Sequence, residues 1–161
     1  MPPSSRALRY AELLKGLRSA LDGETDAVAM LSTVVCELHH AFEHFDWTGF
    51  YRVDPAKERE LVVGPYQGAH GCLRISFDRG VCGKAARDKK TVVVDEVRAF
   101  PGHIACCAST RSEIVVPVLC AGELYGVLDV DSNTPAAFTA EDREGLEAIC
   151  AELGRALRVA A

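Results

Sequence analysis

EIVVPVLC-AG-ELYGVLDVD, running from Glu113 to Asp131, decides the fold. Ile114, Val116 and Val118 on one side of Ala121-Gly122, and Leu124, Gly126 and Leu128 on the other, fall on alternate positions of two extended runs. Period two with a two-residue turn predicts an antiparallel hairpin, Glu113 to Cys120 against Glu123 to Asp131. Runs this apolar belong at the centre of a sheet rather than at its edge.

Further strands lie upstream. Trp47 to Val53 and Glu60 to Tyr66 read as a second hairpin across the polar turn Asp54 to Arg59. Leu73 to Ile75 is a short extended piece, Lys84 to Lys89 suits a brief helix, and Thr91 to Val94 is a β-branched strand. Arg98 to Arg111 carries Pro101, Gly102, Ser109 and Thr110 without periodicity and reads as a long loop; such loops in compact domains are commonly functional. Helices close both ends. Leu13, Leu14, Leu17 and Leu21 stripe a helix from about Ala7 to Leu21, which Asp22-Gly23 stops. Leu31, Val34, Val35, Leu38, Phe42 and Phe45 stripe another over Asp26 to His44. Thr139-Ala140-Glu141-Asp142 resembles a capping box opening a helix with Leu146, Ile149, Cys150, Leu153 and Leu157 inward. The expected fold is α+β: an antiparallel sheet of about six strands, terminal helices on one face, ligand-covering loops on the other.

At 161 residues and 48% hydrophobic content the chain suits a single domain, residues 1–161, with no repeat or linker to divide it. A net charge of -5 without clustered Lys or Arg argues against nucleic acid. No apolar stretch approaches the ~20 residues of a membrane span, and the N-terminus lacks a secretory signal, so a cytoplasmic location is expected. Seven cysteines are too few for a disulfide-stapled secreted scaffold. In a reducing compartment each must be core filler, metal ligand or reactive group. Cys150, on the apolar stripe of the last helix, reads as core.

Two thiols remain unexplained by packing: Cys106 and Cys107 in the long loop, after Gly102-His103-Ile104-Ala105. A thiol of ordinary pKa, about 8.5, is only a few per cent thiolate at neutral pH, so a nucleophilic cysteine needs nearby cations or donors. His103 and Arg111 are the local candidates. Zinc bound by His103, Cys106, Cys72 and Cys82 is disfavoured, because paired C-x(2–4)-C knuckles are absent, and no metal is expected. Gly80-Val81-Cys82-Gly83 lacks the spacing and ending of a nucleotide phosphate loop. Glu113, Asp129 and Asp131 interrupt apolar strands, and Asp129 and Asp131 share a strand face. Carboxylates crowded on a partly buried face raise one another's pKa, which suits one of them to act as a general acid. Trp47 and Tyr51 share a face of the first strand, either as core or as a wall for an S-methyl group or cation.

These residues carry a resemblance. Trp47-Thr48-Gly49-Phe50-Tyr51, Gly64-Pro65-Tyr66-Gln67-Gly68, Gly80-Val81-Cys82-Gly83, Gly102 to Cys106, Ser112 to Val115 and Gly126 to Ser132 together resemble the free methionine-R-sulfoxide reductases, stand-alone GAF domains. The match spans about residues 20–155, with residues 1–20 an added N-terminal helix. The resemblance implies that Cys106 attacks the sulfoxide sulfur, and that Cys72, or else Cys82, resolves the resulting sulfenic acid as a disulfide. It implies that Glu113, Asp129 and Asp131 bind and protonate the sulfoxide oxygen or grip the ammonium group, while Trp47 and Tyr51 face the methyl group. It implies a thioredoxin-type reductant, no metal or organic cofactor, and a homodimer. Around Cys72 the chain reads Ala69-His70-Gly71-Cys72, where the family more often has an apolar-Ala-Cys sequence, and Cys107 lies outside the pattern. The competing expectation is a non-catalytic GAF sensor of a small molecule or of redox state.

Overall fold

The structure, a computed structural model, describes residues 1–104 and 106–160, without the side chain of Val159. Ala105, within the loop segment quoted above, lies outside the described residues. Helices α1 (Ser5–Leu21) and α2 (Ala27–Ala41) precede strands β1 (Trp47–Val53), β2 (Glu60–Gln67) and β3 (Arg74–Ser76). Helix α3 (Gly80–Asp88), strand β4 (Val92–Val94) and a 3-10 turn (Val97–Ala99) follow, then β5 (Ser112–Cys120), β6 (Glu123–Ser132) and α4 (Ala140–Ala160).

The six strands form one antiparallel sheet in the order β3-β2-β1-β6-β5-β4. As the alternation requires, the β5–β6 hairpin is internal, and Ala121 and Gly122 take the positive φ values of its turn. Ile114, Val116, Val118, Leu128 and Val130 point to the face covered by α1, α2 and α4, where they join Phe50, Leu31 and Leu146 in the larger core. Each side chain so buried contributes roughly 1.5–3 kcal/mol. The opposite face carries Trp47, Tyr51, Leu61, Val115 and Val127 beneath α3 and the irregular segments.

The ends are fixed by side chains. Ser4 accepts from the Ala7 amide at 3.1 Å and Asp26 from the Ala29 amide at 2.8 Å, capping α1 and α2. At α4 the Thr139 amide donates to Asp142 at 2.8 Å and the Asp142 amide to the Thr139 hydroxyl at 3.5 Å, a reciprocal capping box. The fully buried Asp142 also accepts from the Tyr10 hydroxyl at 2.8 Å and Arg6 at 2.7 Å, tying α1 to α4. Burial alone would raise its pKa, but hydrogen bonds from His44, Thr139 and Tyr10 hold it below the ordinary value.

Two boundaries differ from expectation for physical reasons. α2 stops at Ala41, because Phe42 turns into extended backbone and packs on Tyr10, ring centroids 4.4 Å apart. α3 begins at Gly80 rather than Lys84. Its two glycines have separate reasons: Gly80 takes a φ of +69°, and a Cβ on Gly83 would lie 2.7 Å from the Phe77 carbonyl oxygen.

Candidate active site

Strand register gathers the chemistry. Trp47 of β1 is paired with Asp131 of β6, and Asp131 with Glu113 of β5, so three functional side chains form one row across three strands. In the next row on the same face Gly49 lies opposite Asp129. Trp47, Tyr51, Cys82, Cys106, Glu113, Asp129 and Asp131 all line a single pocket. Cys72 reaches it through a disulfide to Cys106, with Cα atoms 5.6 Å apart. Of the two partners considered for Cys106, the structure therefore bonds Cys72 and leaves Cys82 a buried free thiol.

Glu113 and Asp129 are each only 6% exposed. Burial, then the charges of Asp129 and Asp131, pushes the Glu113 carboxyl well above its ordinary range. Burial followed by the Asp129 charge does the same to Asp131. Asp129 is raised less, to about 6: burial lifts it, while hydrogen bonding from Glu113 and Cys82 favours its anion. Burial and mutual repulsion thus favour the protonated forms of Glu113 and Asp131 more strongly than that of Asp129, and Asp129 Oδ1 is buried without a partner among the described residues. Cys82 Sγ lies 4.0 Å from Glu113 Oε1, and burial with the neighbouring carboxylates drives its pKa well up, so it is a thiol. Cys82 Sγ and one oxygen each of Glu113 and Asp129 lie within 4.8 Å of one another. A soft divalent cation or an ammonium group would fit this donor set, which differs from the His103 set weighed in the sequence.

The cations expected to activate Cys106 are differently disposed. Arg111 is held by Glu96, through Nε at 2.9 Å and NH2 at 2.7 Å, and does not line the pocket. His103 does line it, but burial lowers its pKa and favours the neutral ring. A group the sequence did not reveal is the N-terminus of α3. No side chain caps this helix, and its first residues Gly80, Val81 and Cys82 line the pocket, so the first-turn amides form an anion-binding end. Cys107 is partly exposed; its sulfur is 3.0 Å from the Ser109 hydroxyl, and donors at Ser109 and Thr110 lower its pKa.

Tyr66 is the other residue whose place was missed. Its ring stacks on Trp47 at 5.2 Å, and Tyr51 stacks on Trp47 at 5.8 Å. The indole N–H donates to the Ala69 carbonyl at 2.8 Å, fixing the ring plane against the segment leading to Cys72. Sequence placed Trp47 and Tyr51 together because they are four apart on one strand; Tyr66 arrives from β2, paired with Gly49.

The chain is similar to known proteins over most of its length. The GAF domain family model matches residues 26–157. The free methionine-R-sulfoxide reductase of Escherichia coli K12 is 38% identical over 92% of this chain and 88% of its own length. That of Saccharomyces cerevisiae is 39% identical over 84% of this chain and 78% of its own. The X-ray structure of the Neisseria meningitidis free methionine-R-sulfoxide reductase in complex with its substrate superposes with a TM-score of 0.92 at 42% identity, covering 99% of this chain and 95% of that one. By sequence and by fold, the chain belongs to the GAF-domain family of free methionine-R-sulfoxide reductases.

Proposed function

We propose that the protein reduces free methionine-R-sulfoxide to methionine, with Cys106 as nucleophile, Cys72 as resolving thiol and the Glu113–Asp131 pair as the proton source. The observation that carries the reading is the Cys72–Cys106 disulfide beside a buried row of carboxyls whose pKa values burial and mutual repulsion raise.

A sulfoxide oxygen leaves sulfur only when protonated, and a thiolate attacks that sulfur only from close range. The row supplies both requirements. The methyl group lies against Trp47 and Tyr51, which brings the S=O bond over Asp131, the cross-strand partner of Trp47. Cys106 sulfur attacks the sulfoxide sulfur while a carboxyl proton passes to the oxygen. The hydroxyl then passes from the methionine sulfur to the Cys106 sulfur as the new S–S bond breaks; methionine leaves with the electron pair, reduced by two electrons, and Cys106 is left as sulfenic acid. Cys72 sulfur then bonds to Cys106 sulfur, and the S–O bond breaks with release of water. Asp129, with its unpartnered Oδ1, receives the substrate ammonium, and the α3 N-terminus receives its carboxylate. A pocket that binds both charged ends of the amino acid favours the free compound over a residue within a chain.

The electrons come from thiols, so the reaction as proposed uses no metal or organic cofactor. The disulfide is returned to dithiol by a thioredoxin-type protein, which places the reaction in a reducing compartment such as the cytoplasm. The resemblance adds a homodimer, to be read by sedimentation.

The direct test follows loss of free L-methionine-R-sulfoxide with dithiothreitol or thioredoxin as reductant, using the S epimer and a peptide-bound sulfoxide as controls. Turnover of the free R epimer that vanishes in Cys106→Ser is the expected result. Turnover surviving in that variant removes Cys106 from its role, and none in reduced, folded wild type favours a sensor.

A further inference from the structure

We infer that Trp47, beyond its contact with substrate, is the positioning residue for the resolving cysteine: its indole N–H holds the Ala69–Cys72 segment where Cys72 can reach Cys106. The inference deepens the proposed function and rests on its assignment of Cys106 and Cys72.

The segment between β2 and β3 has no regular structure, yet the indole touches it from Gly68 to Gly71. The Trp47 N–H donates to the Ala69 carbonyl at 2.8 Å. Two glycines flank that bond, both in contact with the ring. At Gly68, which has a φ of +116°, a Cβ would lie 2.8 Å from indole Cδ1. At Gly71, a Cβ would lie 2.9 Å from indole Cζ2 and 3.2 Å from the Tyr51 hydroxyl. Backbone thus lies directly on the ring at both points, and the next residue after Gly71 is Cys72. Tyr66 stacks on the ring at 5.2 Å and limits its movement.

One side chain therefore serves as wall of the pocket and as anchor of the resolving loop. Trp47 is 6% exposed, and its nitrogen has no other partner among the described residues, so breaking the bond leaves the exposed Ala69 carbonyl without its indole donor and loosens the loop ahead of the Val63 amide–Leu73 carbonyl bond at its far end. Disulfide formation needs two sulfurs in one narrow geometry, and misplacement by about 1 Å slows such a step up to ~100-fold. The consequence of releasing the loop is a longer-lived Cys106 sulfenic acid, open to further oxidation.

Trp47 is the only tryptophan in the chain, which allows a test at the level of one atom. Expression in a tryptophan auxotroph fed benzothienylalanine replaces this indole alone, keeping the bicyclic shape and substituting sulfur for N–H. Reduced protein receives one equivalent of sulfoxide without reductant; methionine, dimedone-trapped Cys106 sulfenic acid and the Cys72–Cys106 disulfide are followed separately in time. In wild type the disulfide should follow methionine closely. In the substituted protein it should lag, with a sulfenic acid lifetime about 10- to 100-fold longer. Gly71→Ala, which pushes the loop from the ring while keeping the N–H, should lengthen it in the same direction. A general loss of folding would slow methionine release as well, whereas the ratio of the two rates reads the loop. Generating the sulfenic acid with hydrogen peroxide, which leaves as water, measures resolution without the sulfoxide. Unchanged disulfide rates in both altered proteins overturn the inference; a peroxide-driven lag without methionine formation by wild type retains it and overturns the proposed substrate.

Discussion

Glu113 and Asp131 face each other directly across the β5–β6 ladder, two acidic side chains on the apolar face of a sheet. Like charges at paired strand positions destabilise a sheet, and burial adds to the penalty. Protonation relieves that repulsion, and a carboxyl whose pKa is raised in this way suits the role of proton donor proposed for it. Burial is the main cause of the pair's raised pKa values, and the charge of Asp129, one row away, adds to it.

Activity should therefore fall on the alkaline side as the raised carboxyl ionises, and on the acid side as the Cys106 thiolate is lost. Asp131→Asn should lower kcat/KM by about 100-fold or more, the usual range for a general acid. Asp129→Asn removes a negative charge that raises both neighbours, so their pKa values should drop and the alkaline limb should move to lower pH. Profiles of kcat/KM for the two variants check this; an unmoved alkaline limb in Asp129→Asn would separate the proton donor from this cluster.

The two thiols near Cys106 should separate cleanly. Cys72→Ser should perform one turnover and stop with Cys106 as sulfenic acid, since the only bonded partner has gone. Cys82→Ser should still form the Cys72–Cys106 disulfide. Cys82 is fully enclosed, its thiol faces Glu113 and Asp129, and a raised pKa makes it a poor attacking sulfur. Mass spectrometry of non-reduced peptides after one turnover distinguishes the two; a Cys82–Cys106 bond in wild type would reverse the assignment.

How much of this was visible in the sequence follows from how local each cause is. The β5–β6 hairpin, the helical stripes and the Thr139–Asp142 cap are set by neighbours in the chain, and each was readable. The seven pocket residues were named from motifs, but the row joining Trp47, Asp131 and Glu113 depends on the pairing of β1 with β6 across the sheet, which no local pattern specifies. Arg111 was misjudged because its partner Glu96 lies 15 residues away beyond the loop. Nothing local marks Gly68 and Gly71 as seats for an indole from another strand, the role their small size serves.

Stability should be traded against this chemistry. The Asp129 carboxyl binds its proton more tightly when folded than when unfolded, so above the ordinary carboxylate range the unfolded chain ionises first and stability declines through pH about 6. Asparagine has no proton to lose. Asp129→Asn should match wild type near pH 3 and become more stable as pH rises, by about 1–3 kcal/mol at pH 8. Urea unfolding of the reduced protein at both values measures the difference; a gain that is equal at the two pH values would trace it to packing instead.

Recognition of both charged ends of the amino acid makes its own prediction. The first residues of α3 line the pocket and the helix has no side-chain cap, and a helix N-terminus stabilises an anion by up to about 2 kcal/mol. Converting the substrate carboxylate to an amide removes the charge but leaves the sulfoxide unchanged. Methioninamide sulfoxide should therefore show kcat/KM reduced by about 10- to 30-fold, mostly in KM, because the contact exists before and during the chemistry alike. N-acetylmethionine sulfoxide, which lacks the ammonium proposed to meet Asp129, should be impaired independently. In Asp129→Asn the acetyl group should cost less than in wild type, because the charge it removes no longer has its partner, while the amide should cost the same in both. An amide penalty that shrank in Asp129→Asn would place the carboxylate near the acidic cluster and the ammonium elsewhere.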